Sequence, residues 1–234
     1  IDGETMENYI AENYQDNYIM AMLCYRFCKM AAWLRSQQFA HGDIKPDNIM
    51  VRPDGNLTLV DYDGMFVPAM KGQKSPTIGT KDFSHPLRTV DDFNETIDDF
   101  ALASIALSLK AISLRPSLLD EYGGADRLLF SVEDYRDLSN SNVFVSLSEL
   151  LGDTDLLLLY SMFNIACVKK NLSFVSFRMF YIALPGNCWQ EKIRFDDFKQ
   201  VFIDEFGVKY GRNGLILISA PKDISGTYRS DSKA

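Results

Sequence analysis

The sequence predicts a mainly α-helical domain that carries a short β-hairpin at one edge. Three observations lead there. Between Asp16 and Gln38 the apolar residues Ile19, Met22, Leu23, Phe27, Met30, Trp33 and Leu34 recur at three and four, the spacing of an amphipathic helix facing a core. Residues 96–112 are apolar on nearly every face, which marks a buried central helix. Between the two, Ile49–Val51 and Leu57–Val60 are short β-prone runs around RPDGN, where Pro53, Asp54 and Gly55 supply a tight turn.

The composition narrows the function classes. Of 234 residues, 47% are apolar and 24% charged, ordinary for a well-cored globular chain. The net charge of −8 argues against a nucleic-acid footprint, because phosphate binding needs a basic face. The 4 cysteines include no C-x-x-C pair, and with 2 histidines no zinc spacing can be assembled. A reducing, cytoplasmic location is the expectation, and Cys24 and Cys28, one helical turn apart, are expected in the core. The richest apolar run, Leu156 to Val168, contains Asn164 and falls short of the roughly 20 residues that span a bilayer, so no membrane partner is expected.

Taken in order, the first long helix leads directly into His41, and the hairpin leaves through DYDG. Residues 65–94 hold Gly72, Pro76, Gly79 and Pro86 without any sustained period, and irregular segments of that length are commonly functional. Thr96, Asp98 and Asp99 suit the start of the central helix. Residues 113–142 read as a surface connection with a short helix around Ser131 to Leu138. Helical patterns follow at 143–151, 154–168, 172–183 and 191–205, and the end reads as a polar tail. The expected organisation is a main lobe over 1–185, a helical extension over 186–220 and a tail or linker over 221–234.

The chemistry concentrates in HGDIKPDNIMV, residues 41–51. Asp43, Lys45 and Asn48 share this loop, and Asp61 stands at the end of the hairpin. Asn48 and Asp61 suit a hard cation such as Mg²⁺, which takes one or two carboxylates and the oxygens of a phosphate substrate. Lys45 suits a transferring phosphoryl group, which leaves Asp43 to orient an attacking hydroxyl and accept its proton. Each of these residues alone could equally be a turn residue.

These residues resemble the C-terminal lobe of a protein kinase of the serine/threonine type. HGDIKPDNIMV, residues 41–51, resembles the catalytic loop, and LVDYDG resembles the metal-binding segment, 61–64. GTKDFSHPLR, residues 79–88, is similar to the end of an activation segment spanning 65–88, and IDDFALAS resembles the start of the central helix. The resemblance implies ATP and Mg²⁺ as cofactors and a protein substrate. It implies Asp43 as catalytic base, Lys45 on the γ-phosphate and Asn48 with Asp61 on the metal ions. Thr80 would bridge Asp43 and Lys45, or be a plain turn residue. Asp98 would hold the backbone of the catalytic loop, or be a plain helix cap. His41 would pack and hydrogen-bond beneath the loop as a structural residue.

The departures from the family pattern matter as much. Gly42 replaces the arginine that reads an activation-segment phosphate, Tyr62 and Asp63 replace Phe and Gly, and Leu87 replaces the glutamate of A-P-E. Nothing before residue 41 offers a glycine-rich phosphate loop or a V-A-I-K strand, and Ile1 stands where a methionine would begin a chain. The expected partner is therefore an N-terminal lobe from the same gene product, and the chain alone is expected to hold ATP·Mg²⁺ no more tightly than millimolar, about −4 kcal/mol. Small-molecule phosphotransferases of the aminoglycoside and choline type, and a catalytically silent scaffold module, remain alternatives.

Overall fold

The computed structural model describes residues 2–125 and 127–168, together with 209–210 and 216–217. The chain divides into two compact units, Ile1–Glu191 and Lys192–Ala234.

In the first unit, β1 (Glu4–Thr5) and α1 (Met6–Asn13) precede the long helix α2 (Asn17–Arg35). The carboxylate of Asp16 starts α2 by accepting from the amides of Tyr18 and Ile19. The buried stripe of α2 runs Met20, Leu23, Cys24, Phe27, Cys28, Ala31 and Leu34, so both cysteines are packed core residues. Two strands follow and join β1 in one antiparallel sheet in the order β1, β2 (Ile49–Val51), β3 (Leu57–Leu59), with Ile49 opposite Leu59 and Glu4 opposite Val51. Gly55 turns the hairpin at φ +78°. That left-handed conformation favours glycine, and a Cβ there would lie 1.8 Å from the Arg26 guanidinium, which would have to move aside.

The central helix α3 (Asp99–Leu114) is buried on nearly all sides and packs against both α2 and the later helix α7 (Thr154–Val168). A 2.9 Å ion pair from Arg35 to the buried Asp99 joins the end of α2 to the start of α3. The connection after α3 carries α4 (Ser117–Tyr122), α5 (Val132–Arg136) and α6 (Asn142–Ser148). Phe100, Phe130, Tyr135, Phe144 and Phe163 gather there, with ring centroids between 4.9 and 6.0 Å apart. Ser131 opens α5 through a reciprocal capping box with Asp134, close to where a short helix was expected.

Helix dominates the described residues, and the sheet of the first unit is small and antiparallel, as the sequence predicts. Three features differ. Strand β1 and helices α1 and α4 were not expected: β1 has two residues, and α1 and α4 bury too few apolar residues for a period to show. The central helix starts at Asp99 rather than 96, because Thr96 N–H is taken by Asn94 and residues 94–98 turn irregularly. In the second unit, β4 (Lys209–Tyr210) pairs antiparallel with β5 (Ile216–Leu217), inside the stretch read as a helical extension. The expected helices at 172–183 and 191–205 and the tail at 221–234 lie outside the described residues.

Candidate active site

The loop between α2 and β2 is held from below by α3. Asp98 occupies the position just before α3, yet its carboxylate makes no helix-cap bond. One oxygen accepts the amide of His41 and the other accepts the amide of Gly42 at 2.8 Å. Complete burial pushes the Asp98 carboxyl above the usual range, against the opposing pull of those two amides and of the Arg88 charge. His41 is fully buried; its Nε2–H donates to Val60 O at 2.8 Å, and its Nδ1 accepts the Asp43 amide at 3.4 Å.

The same loop is backed by the metal-like segment. Ala40 and Phe66 exchange two backbone hydrogen bonds, at 3.1 and 2.9 Å, which pins the exit of DYDG beside the entrance of the loop. Gly42, at φ +88°, approaches so closely that a Cβ would sit 2.0 Å from Gly64 O. Tyr62 leans on His41 with ring centroids 5.2 Å apart and donates its hydroxyl to Leu59 O at 2.8 Å, a tether that a phenylalanine could not make.

Asp43 is part-buried, and one of its carboxylate oxygens accepts both the amide and the hydroxyl of Thr80, at 2.8 and 3.0 Å. Asn48 turns its Nδ2 to the backbone carbonyl of Asp43 at 2.9 Å, which leaves its amide oxygen as the group available to a cation. Asp61 is exposed and holds φ 65°, the one positive value at a non-glycine residue among the described residues. A left-handed aspartate costs on the order of 1 kcal/mol, and strain of this kind gathers at functional sites. Lys45 is half-buried and takes part in no ion pair among the described residues. The structure thus joins Asp43, Thr80, Asn48, His41 and Asp98 by hydrogen bonds, and the Asn48 backbone amide donates to Lys45 O at 3.0 Å, while among the described residues no side-chain bond ties Lys45 or Asp61 to that group.

One amide oxygen and one exposed carboxylate suit a hard cation that brings its own phosphate oxygens, and the Lys45 ammonium suits those phosphate oxygens. They do not form an all-protein cage, and no group of three or more His, Cys, Asp or Glu side chains among the described residues could hold a metal alone.

Two residues of the activation-like segment were not singled out from the sequence as part of this site. Arg88 donates from Nη2 to Gly42 O at 3.1 Å and reaches Thr77 O at 3.5 Å. His85 is buried with its ring edge-on to Phe100 at 5.1 Å, and its Nδ1 accepts the Leu87 amide. With Tyr135 donating to Asp82 O at 2.7 Å and the Asp82 carboxylate accepting the Val132 amide, His85 seats the segment on α3 and α5. The exposed Leu87 carries none of this anchoring. The sequence held one signal for Arg88, a basic residue in the segment opposite a loop whose own cation position is glycine.

No family model matches the chain. Over 111 residues, 47% of this chain and 30% of the relative, it is 26% identical to an Aurora kinase of Eremothecium gossypii. Over 55 residues, 23% of this chain, it is 42% identical to sperm motility kinase 2A of Mus musculus, of which it covers 11%. Part of this chain is similar to protein kinases. The chain spans less than a third of the length of either kinase, and none of its described helices is long and apolar enough to cross a membrane.

Proposed function

We propose that this chain carries the catalytic loop, metal-binding segment and activation segment of a kinase that transfers phosphate from ATP to serine or threonine hydroxyls of proteins. The observation that carries the reading is the double hydrogen bond from Thr80 to Asp43. It fixes one oxygen of a part-buried carboxylate and brings residues 79–88 beside it, which supports the reading of that stretch as a substrate-facing segment.

In this reading Asp43 orients the incoming hydroxyl and takes up its proton, with Thr80 steering one oxygen so that the other meets the substrate. Asn48 and Asp61 would hold the magnesium ions, which when bound neutralise charge on the phosphates. Lys45 supplies a mobile positive charge to the phosphoryl group in transit. Asp98 and His41 hold the loop so that these groups need not reorganise during transfer. A serine/threonine rather than a small-alcohol substrate is favoured by the ordered 75–88 segment, which a small molecule would not need.

The deciding experiment incubates the complete gene product with labelled ATP and Mg²⁺, offering a mixed protein substrate in one arm and small alcohols in the other. Label on serine and threonine, lost in Asp43→Asn, supports the reading. Label on the alcohols alone moves the chain to small-molecule phosphotransfer, and label on neither makes it a scaffold.

A further inference from the structure

The catalytic loop has no room for a cation of its own. Gly42 adopts φ +88°, and a Cβ there would meet Gly64 O at 2.0 Å, so any side chain at 42 would have to push two backbone segments apart. A positive charge nevertheless reaches this spot. Arg88 comes from the far end of the segment, spans 46 residues of sequence to donate to Gly42 O, and also reaches Thr77 O. Its guanidinium fills the gap between two glycines, since a Cβ on Gly79 would lie 3.1 Å from Arg88 Nη1 and 3.3 Å from Gly42 O. Burial lowers the affinity of Arg88 for its proton, and the nearby charges of Asp98, Asp43 and Asp92 oppose that effect.

The contacts on either side make this a junction. Thr77 O also accepts the Ser75 hydroxyl, Thr77 Oγ1 accepts the Gly79 amide at 3.0 Å, and the next residue is Thr80, whose two donors hold Asp43. On the other side, Gly42 N–H is bound to Asp98. We propose that Arg88 is a positioning residue that latches the activation segment to the catalytic loop without phosphate, setting Thr80 against Asp43 by clamping the carbonyls of Gly42 and Thr77. The catalytic half of this inference rests on the proposed kinase reading; the latch itself does not.

Two variants test it. Arg88→Met removes charge and donors at similar length, and Arg88→Lys keeps the charge but loses the planar fork. In hydrogen exchange on this chain, Arg88→Met speeds exchange of the Gly42, Gly79 and Thr80 amides about tenfold or more, while amides within α3 keep their protection. In the complete gene product it lowers kcat about tenfold or more with the KM for ATP within about twofold of wild type, and Arg88→Lys recovers part of kcat. Wild-type exchange at all three amides overturns the latch. So does equal loss of protection in α3 in both variants, which would make Arg88 a general support of the fold. Arg88→Met that retains wild-type kcat overturns the positioning role. If wild type transfers no phosphate to any substrate, the kinase reading fails and the exchange result alone decides the latch.

Discussion

Thr80 puts its backbone N–H and its hydroxyl on the same carboxylate oxygen of Asp43, at 2.8 and 3.0 Å. Among the described residues the second oxygen has a single 3.4 Å approach, from Asn48 Nδ2, too long for a strong bond. The carboxylate is therefore oriented by one oxygen and open for chemistry at the other.

Removing the hydroxyl while keeping the amide tests that division. Thr80→Val should lower kcat of the complete gene product roughly ten- to a hundredfold, the equivalent of one hydrogen bond to a charged group, and Thr80→Ser should restore most of it. Asp43→Asn should cost several decades with nucleotide affinity nearly unchanged. Steady-state kinetics with ATP titrations check all three, and wild-type turnover in Asp43→Asn would remove Asp43 from its role.

Asp61 holds a left-handed backbone, φ 65°, and in the proposed reading its carboxylate meets the metal ion. Asp61→Asn should weaken Mg²⁺-dependent nucleotide binding at least about tenfold by withdrawing the exposed carboxylate. Asp61→Gly should do the same without loss of thermal stability, because glycine adopts φ 65° freely. Calorimetry with and without Mg²⁺, paired with melting curves, checks this; a marked fall in Tm for Asp61→Gly would show that the side chain supports the fold.

Phosphorylation should not govern this segment. Ser75 is 5% exposed, its amide donates to Val90 O at 2.7 Å, and its hydroxyl donates to Thr77 O. Lys74 and Lys81 are already paired with Asp91 and Glu133 at the surface. Phosphatase-treated and untreated enzyme should agree within about twofold. Ser75→Glu buries an uncompensated charge and should lower Tm by several degrees, on the order of 2 kcal/mol.

Asp98 should imprint a pH dependence on stability. Its folded-state pKa is raised by burial, so the folded chain holds that proton more tightly than the unfolded chain. Stability from this residue is then greatest below the ordinary carboxylate value, about 4, and is lost as pH rises through the higher folded value. Arg88 and the two loop amides limit the loss but do not reverse it. Urea unfolding across this range should show wild type losing stability relative to Asp98→Asn as pH rises. The exposed carboxylates Asp54, Glu133 and Asp137, whose pKa values are lowered, titrate alike in both proteins and cancel. A gain relative to Asp98→Asn would mean that the amides outweigh burial.

Local pattern was enough to place α2, α3, α7 and the hairpin, because apolar residues at three and four mark α2, alternation marks Ile49 to Val51, and unbroken apolar runs mark α3 and α7. It did not settle the buried face of α2, where Leu23, Phe27 and Leu34 face the core as expected but Trp33 is exposed and Met20, Cys24, Cys28 and Ala31 complete the stripe. Asp43, Lys45, Asn48 and Asp61, each of which alone could be a turn residue, become site candidates only because GTKDFSHPLR and IDDFALAS follow them in the order of a kinase lobe. The tertiary structure alone decided that Asp98 turns away from its own helix to bind amides 56 and 57 residues earlier, and that Arg88 bonds the carbonyl of Gly42. It also decided that Glu4–Thr5 pairs with a strand more than forty residues away. These bonds join positions with no fixed spacing, and each forms because folding brings a buried polar group to a partner where water cannot serve it, a requirement that leaves no period in the sequence.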